Sequence, residues 1–182
     1  MIFDLKKVVA SVRTDDEFKA ALRSDAKVIF LQNTSITNAD EQIRLAHDYG
    51  KTVFIHTDFM EGIGKDKAGL QYLRKLGCDG MLSTRTGMIR HGKDVGLLTV
   101  QRFFIVDTHS VDTAIDSIKI GKPDFVEIMP GVIEKTIKRF ASEVDTPVIA
   151  GGLINKTEEV DQALSSGAVA VSTGQSSLWN YR

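Results

Sequence analysis

Short apolar segments alternate with amphipathic segments along the whole chain. Eight of the short segments are rich in Val, Ile, Leu and Phe, and several are apolar at every position, Val28–Leu31 most clearly. A strand that is apolar on both faces is typical of a parallel sheet covered on both sides. The pattern therefore predicts parallel strands at residues 8–12, 28–31, 53–57, 80–83, 97–104, 125–129, 148–150 and 168–172.

The segments between these strands have the pattern of amphipathic helices. Thr14 with Glu17, and Asn38 with Glu41, have the spacing of a capping box at a helix start, and Gly77 is placed to close a helix end. Start and stop signals thus agree with the periodicity. The predicted helices are residues 15–23, 39–49, 67–76, 89–95, 111–120, 132–144 and 158–165.

Repeated alternation of strand and helix is compatible with a closed barrel or an open doubly wound sheet. Eight units in 182 residues leave about 23 residues for each, enough for a strand, a helix of about 10 residues and two short turns. The count favours an α/β fold of one domain, a compact (β/α)8 TIM barrel over residues 1–182. Only residues 175–182 follow the last strand, so we expect a short final helix and a thinly covered wall near Leu178 and Trp179.

Composition and charge narrow the class of function. Hydrophobic residues make up 42% and charged residues 26%, as in globular domains, and no run approaches the roughly 18 apolar residues that cross a bilayer. No signal-peptide pattern is present, so we expect a soluble, cytoplasmic protein without a membrane partner. Cys78 is the single cysteine and the four histidines lack zinc-site spacing, so neither a metal nor a cofactor is expected. The net charge of -1 means that any nucleic-acid surface must be local.

Polar and small residues gather where the predicted strands end, which is the working face of a TIM barrel. Gly151 and Gly152 follow the seventh strand, and Ser172, Thr173 and Gly174 end the eighth. Small side chains let backbone N–H groups converge on an anion, and this fold often binds phosphate at these two loops. Phosphate binding is the favoured interpretation, and the alternative is that the glycines only permit tight turns.

A second group of strand-end residues carries charges or an amide: Asp58, Arg85, Gln101 and Glu127. A guanidinium and carboxylates of this kind could hold the hydroxyl groups of a phosphorylated polyol. The alternative is an internal ion-pair network that satisfies buried polar groups. His56 with Asp58 is the one candidate acid–base pair, but a histidine on an apolar strand is more often a core residue, so we assign no catalytic residue.

Two basic clusters could touch RNA phosphates. Lys135, Lys138 and Arg139 share one face of a predicted helix, and residues 90–93 form the second cluster. A solvated helix face is the default interpretation of such clusters. They do not by themselves establish RNA binding.

The strand-end segments occur in one order with a specific spacing. They are Ile55-His56-Thr57-Asp58, Leu82-Ser83-Thr84-Arg85, Val100-Gln101-Arg102-Phe103-Phe104, residues 123–131, Ile149-Ala150-Gly151-Gly152-Leu153-Ile154 and residues 168–173, with a closing Leu178-Trp179. Together, over about residues 8–179, they resemble the glycerol-3-phosphate-responsive antiterminator family. Residues 62–67 look divergent, which weakens any expectation of a closing loop there.

This resemblance implies a small barrel that binds glycerol 3-phosphate as its effector. In that state the protein would bind a leader mRNA and prevent premature transcription termination in an operon for glycerol use. The resemblance also implies ligand-site roles for Asp58, Arg85, Gln101, Arg102, Glu127, Gly151, Gly152 and Thr173.

The rival class is a TIM-barrel enzyme that acts on a small phosphorylated polyol or sugar, because barrels with this phosphate site commonly do so. A convincing acid, base or nucleophile over the ligand would favour the enzyme. The weak His56–Asp58 candidate leaves regulation as the favoured function. Since one subunit of net charge -1 offers few phosphate contacts, we also expect a homodimer, with Leu178 and Trp179 as an apolar seam.

Overall fold

The computed structural model describes residues 7–181 and has eight parallel strands that close into a barrel in sequence order. Each strand pairs with the next, and the first pairs with the last. The predicted single-domain (β/α)8 TIM barrel is therefore confirmed. The strands are β1 (Val8–Val12), β2 (Val28–Leu31), β3 (Thr52–His56), β4 (Gly80–Ser83), β5 (Leu98–Phe104), β6 (Phe125–Met129), β7 (Val148–Gly151) and β8 (Ala170–Thr173).

Helices cover the outside of the barrel between successive strands. They are α1 (Asp15–Arg23), α2 (Ala39–Asp48), α3 (Lys67–Lys75), α4 (Thr86–Asp94), α5 (Thr108–Gly121), α6 (Glu134–Glu143) and α7 (Thr157–Ser165), followed by a 3₁₀ helix (Ser176–Asn180). No helix within residues 7–181 is long and apolar enough to cross a membrane.

The strands are buried on both faces, and this explains why their sequences are apolar at successive positions. Side chains such as Val9, Phe30, Phe54 and Val100 fill the barrel interior, where the Phe30 and Phe54 ring centroids lie 5.4 Å apart. Alternate positions, such as Ile29, pack outward against the helices. Successive residues of one strand therefore enter different environments, inside or outside the barrel.

The local signals at helix ends are only partly correct. Thr14 and Glu17 form the predicted capping box of α1, with both hydrogen bonds present. The predicted capping box at Asn38 is wrong. The Asn38 Oδ1 atom instead accepts from the Ser35 N–H at 2.8 Å and the Thr34 hydroxyl at 3.0 Å, so the side chain turns back into the preceding loop.

The end of the chain corrects the expectation of an apolar seam. Leu178 and Trp179 are only 6% and 1% exposed, because the 3₁₀ helix packs against β1, β8 and α1. The Trp179 Nε1–H donates to the Thr173 carbonyl over 2.8 Å, which satisfies the one polar group of that ring. These side chains complete the core of a single subunit and do not form an exposed interface.

Candidate functional site

A pocket of about 340 Å³ opens at the carboxyl ends of β1, β7 and β8. Four of the five predicted phosphate-binding residues line it: Gly152, Ser172, Thr173 and Gly174. We call this cavity the mouth pocket. Its volume lies within the usual range of about 300–1,000 Å³ for small-molecule sites.

Gly151, the fifth residue, lies behind the pocket lining. It is buried, and a Cβ atom added there would lie 2.5 Å from the Glu127 Oε1 atom. A glycine is needed because the Glu127 carboxylate approaches the backbone of β7 closely. By contrast, Gly152 has φ +77°, which lets the chain turn at the pocket edge.

The Thr173 side chain connects the two loops of the pocket. Its hydroxyl donates to the Ile154 carbonyl over 2.7 Å and accepts from the Gln175 N–H over 3.0 Å. The Thr173 hydroxyl is therefore engaged by protein partners both as donor and as acceptor. This bracing holds the loop after β8 against the loop after β7.

Arg13 and Ser11 also line the mouth pocket, although sequence reasoning did not assign them to the site. Arg13 is exposed, and its backbone N–H donates to Glu17 Oε2 over 2.6 Å, so the capping box of α1 fixes its backbone. The signal available in the sequence was its position just after β1. Only barrel closure, which pairs β1 with β8, brings it to the predicted phosphate loops.

A chain of buried hydrogen bonds crosses the barrel interior behind the pocket. Gln32 Nε2 donates to Ser11 Oγ over 3.0 Å, and Arg102 Nη1 donates to Gln32 Oε1 over 2.8 Å. Arg102 Nε donates to Glu127 Oε2 over 2.5 Å, and Ser172 Oγ donates to Glu127 Oε1 over 2.6 Å. We call these five residues the polar floor. Ser11 and Ser172, at the two ends of this hydrogen-bonded series, line the mouth pocket, so the series connects the internal ion pair to the pocket.

The Gln101 side chain points from β5 to the outside of the barrel, which corrects the expectation that it lines the ligand site. Its Nε2 donates to Thr86 Oγ1 over 3.0 Å, and a Cβ added at Gly121 would lie 2.9 Å from its Oε1. The side chain thus occupies the space between β5 and the helices α4 and α5. Because neighbouring strand residues face opposite sides, Arg102 points inward and Gln101 outward.

Asp58 and Arg85 lie at the ends of β3 and β4, across the barrel from β7 and β8. Asp58 accepts from Ser83 Oγ at 2.7 Å, and from the Thr84 N–H and hydroxyl at 2.7 and 2.8 Å. Burial raises the pKa of Asp58, but these hydrogen bonds outweigh it and leave the pKa below its ordinary value. Arg85 Nε lies 3.8 Å from Asp58 Oδ1, and the Arg85 side chain is 58% exposed. Neither residue is among those that line the mouth pocket.

His56 lies inside the barrel and does not form the candidate acid–base pair. It is 1% exposed, and neither ring nitrogen has a hydrogen-bond partner in the described part of the chain. Burial and then the charge of Arg102 lower the pKa of His56 to about 4, so the imidazole is neutral near pH 7. Asp58, which faces Ser83 and Thr84, is engaged elsewhere.

The basic cluster on α6 is largely paired with carboxylates. Lys138 Nζ lies 3.1 Å from Glu134, and Arg139 contacts both Asp112 at 2.6 Å and Glu143 at 2.8 Å. Lys135 is exposed and has no carboxylate partner within residues 7–181. The local positive charge of this face is therefore smaller than the sequence alone indicates.

The fold and the mouth pocket define the class of protein: a compact TIM barrel with a small, largely polar pocket beside β7 and β8. Within that class, the chain belongs to the glycerol-3-phosphate responsive antiterminator family, whose model matches residues 8–179. The resemblance noted from the strand-end segments is thereby confirmed.

Two solved structures agree with this assignment, and one curated relative matches most of the chain. The glycerol uptake operon antiterminator regulatory protein of Listeria monocytogenes superposes with a TM-score of 0.93 at 28% identity, covering 100% of this chain and 99% of that one. A glycerol uptake operon antiterminator-related protein of Thermotoga maritima has a TM-score of 0.86 at 29% identity, covering 96% and 98%. Uncharacterized protein YgcP of Escherichia coli K12 is 29% identical over 173 residues, which cover 94% of this chain and 91% of that protein.

Proposed function

We propose that the protein is a regulator that binds glycerol 3-phosphate and, in that state, binds a leader mRNA to prevent premature transcription termination in glycerol-utilisation operons. The observation that carries the proposal is the mouth pocket, where small-residue loops, a cationic side chain and a polar floor meet in a chain of this family. Each part matches one chemical feature of a phosphorylated polyol.

The phosphate would occupy the side of the pocket formed by the loops after β7 and β8. The backbone at Gly152 and Gly174 can approach an anion closely because no side chain intervenes, and Arg13 adds a positive charge at the same pocket. The polyol would then extend toward Ser11 and Ser172, which join the pocket to the polar floor. Asp58 and Arg85 remain predicted ligand contacts on the opposite rim.

We favour recognition over the rival enzymatic function on the polyol phosphate. A Schiff-base mechanism needs a free lysine amine, whereas Lys65 Nζ near the mouth donates to the backbone carbonyls of Thr57 and Met60. The one candidate acid–base pair, His56 and Asp58, shares no hydrogen bond within residues 7–181. These contacts support a binding site.

For the RNA partner we retain Lys135, Lys138 and Arg139 as proposed contacts. Exposed ion pairs contribute only about 0–1 kcal/mol, so RNA phosphates can replace the carboxylate partners of Lys138 and Arg139 at small cost. Lys135 is already available. Two copies of the chain would double the number of such contacts, which is why we retain a homodimer as part of the proposal.

Ligand binding is tested by thermal unfolding with glycerol 3-phosphate, glycerol and inorganic phosphate, each at the same concentration. A ligand that binds only the folded state raises the melting temperature, so glycerol 3-phosphate should raise it most and glycerol should leave it unchanged. Equal shifts with glycerol and glycerol 3-phosphate would contradict a phosphate-dependent effector site.

RNA binding is tested by gel shifts on the leader of a glycerol operon, with and without glycerol 3-phosphate. We expect the ligand to strengthen binding, and Lys135→Ala to weaken it more than the control Lys19→Ala on the exposed surface of α1. Sedimentation on the same samples gives the oligomeric state. Leader binding that ignores the ligand would contradict the regulatory proposal, and conversion of glycerol 3-phosphate into product, followed by NMR, would establish the enzyme.

A further inference from the structure

Three buried nitrogen atoms behind the mouth pocket lack protein partners. They are both ring nitrogens of His56 and the Nη2 atom of Arg102, none of which makes a hydrogen bond within residues 7–181. His56 and Arg102 project into the barrel from β3 and β5, and the charge of Arg102 acts on the imidazole. The unpartnered atoms therefore belong to one region of the interior, next to the polar floor.

Leaving buried donors and acceptors without partners is unfavourable, because they lose their hydrogen bonds to water without replacement. Most buried polar atoms in this chain avoid that cost: the other Arg102 nitrogens bind Gln32 and Glu127, and both Glu127 oxygens accept hydrogen bonds. Among the buried atoms without partners in residues 7–181, Gln101 Oε1 lies outside the barrel and Ser166 Oγ lies at the end of α7, whereas the three nitrogens of His56 and Arg102 lie at the carboxyl end of the barrel, where ligands of this fold bind. Unpartnered buried polar atoms at such a place indicate groups that a ligand completes.

The chemistry of the three atoms specifies the ligand group. A neutral imidazole presents one N–H donor and one nitrogen acceptor, and the guanidinium presents N–H donors only. A hydroxyl both donates and accepts, so one hydroxyl of a diol can hydrogen-bond one imidazole nitrogen while the adjacent hydroxyl accepts from Arg102 Nη2. A carboxylate would have to lie beside the buried Glu127 carboxylate, whereas a hydroxyl carries no charge.

We propose that His56 and Arg102 bind the two hydroxyl groups of the phosphorylated polyol and thereby determine its specificity. This inference rests on the proposed function, because it adds a hydroxyl-binding part to the same effector site. The low pKa of His56 is consistent with it, since a nitrogen of a neutral ring can either donate to or accept from a hydroxyl, according to the tautomer.

Phe59 controls access to this part of the site. Its ring centroid lies 4.6 Å from that of His56, with an interplanar angle of 33°, and the Phe59 side chain is itself 63% exposed. An exposed ring has little packing to lose when it moves. Displacement of Phe59 from the imidazole would admit the hydroxyl end of the ligand.

The test pairs ligand analogues with a variant of His56. Calorimetry measures the affinity of sn-glycerol 3-phosphate and of propyl phosphate, which has the same phosphate and carbon chain but no free hydroxyl. We expect wild-type protein to bind propyl phosphate about 100-fold more weakly, because hydrogen bonds to neutral and charged partners are both lost. In the His56→Phe variant, propyl phosphate should bind only about tenfold more weakly than sn-glycerol 3-phosphate. The control His47→Gln, whose histidine pairs with Asp79 near the start of β4, should behave as wild type.

Nuclear magnetic resonance gives a readout that does not depend on a variant. In protein labelled with ¹⁵N-histidine, saturating sn-glycerol 3-phosphate should shift the His56 ring nitrogens and select one tautomer, whereas inorganic phosphate should not. Wild-type protein that binds neither organic phosphate overturns the proposed function itself. Tight binding of glycerol 3-phosphate with an equal hydroxyl dependence in wild type and His56→Phe, or with unchanged His56 resonances, overturns only this inference.

Discussion

Two carboxylates near the amino end of the barrel are hydrogen-bonded by the protein, whereas two side chains at the carboxyl end keep nitrogen atoms without partners in the described chain. At the amino end, Asp124 Oδ2 accepts from the Thr99 N–H at 2.9 Å and hydroxyl at 2.7 Å, and Asp79 Oδ2 accepts from the Val53 N–H at 2.8 Å. Each carboxylate lies just before one strand and joins it to the start of its neighbour. At the carboxyl end, His56 and Arg102 retain nitrogen atoms without partners in the described chain.

This difference separates groups that hold the barrel together from groups available to a ligand. Asp79 and Asp124 are engaged by the protein, so they contribute to stability. The carboxyl end combines a braced part, formed by Asp58 and Thr173, with unsaturated atoms and an open pocket. TIM barrels acquire different functions mainly through changes in the loops at the carboxyl ends of the strands, while the barrel itself is kept.

The largest loss of stability should come from substitution of Glu127, which lies at the carboxyl end of the barrel but has both carboxylate oxygens hydrogen-bonded by the protein. Glu127→Ala leaves the Arg102 guanidinium buried without its carboxylate, and the loss of one member of a buried pair costs about 3–5 kcal/mol of unfolding free energy. Urea denaturation measures this loss. The double variant Arg102→Met with Glu127→Leu should recover much of the stability, since neither charge remains. A Glu127→Ala protein as stable as wild type would show that the pair is solvated.

Acid should destabilise the carboxyl end through His56. Its pKa is about 4 in the folded protein, below the ordinary 6.5, so as the pH falls the unfolded chain takes up the proton first. Stability is therefore lost between about pH 6.5 and 4, by roughly 3 kcal/mol at 1.36 kcal/mol per pH unit. Arg102 opposes the ring charge, whereas Asp58 and Glu127 favour it.

The measurement is the free energy of unfolding of wild type minus that of His56→Phe across this pH range. The subtraction removes acid effects that both proteins share, including that of Asp58, whose pKa is also lowered and whose effect falls at lower pH. A difference that stays constant from pH 7 to 4 would mean that the His56 ring is solvated in the folded protein.

A substitution at the amino end of the barrel should lower stability without changing ligand affinity. Asp124→Ala removes the acceptor for two Thr99 donors, and we expect a loss of about 2 kcal/mol of unfolding free energy. Affinity for glycerol 3-phosphate, measured by calorimetry on the folded protein, should stay within twofold of wild type. A larger loss of affinity would contradict the idea that the amino end contributes to stability but not to ligand binding.

A substitution at the rim of the mouth pocket should lower ligand affinity and leave stability nearly unchanged. Arg13→Ala removes an exposed cation from the mouth pocket, so we expect glycerol 3-phosphate to bind about 10- to 100-fold more weakly, with stability changed by less than about 0.5 kcal/mol. Arg23→Ala, at the other end of α1, is the matched control for loss of charge. Equal affinities of the Arg13 and Arg23 variants would remove Arg13 from the phosphate site.

The alternation of apolar and amphipathic segments was enough to predict the barrel, because eight units of this length leave room for little else. The loops at residues 151–152 and 172–174 were likewise recognisable from small residues at two strand ends, and they do meet at one pocket. Helix boundaries were less accurate: α4 and α5 begin at Thr86 and Thr108, three residues before the predicted starts. Residues 108–110 of α5 are polar, and α4 begins with Thr86 and Gly87, so the apolar pattern does not detect these starts.

Only the tertiary structure decided which side of each strand faces the interior. In β5 both faces are buried, so hydrophobicity could not distinguish inward Arg102 from outward Gln101. Barrel closure brought Arg13 beside β8, and the packing of the 3₁₀ helix turned Trp179 from an expected interface into core. The local sequence pattern determines each helix and strand because the periodicity of apolar residues depends on residues that are close in sequence. The site depends on contacts between residues distant in sequence, such as the hydrogen bond of Arg102 to Gln32, which only the closed barrel creates.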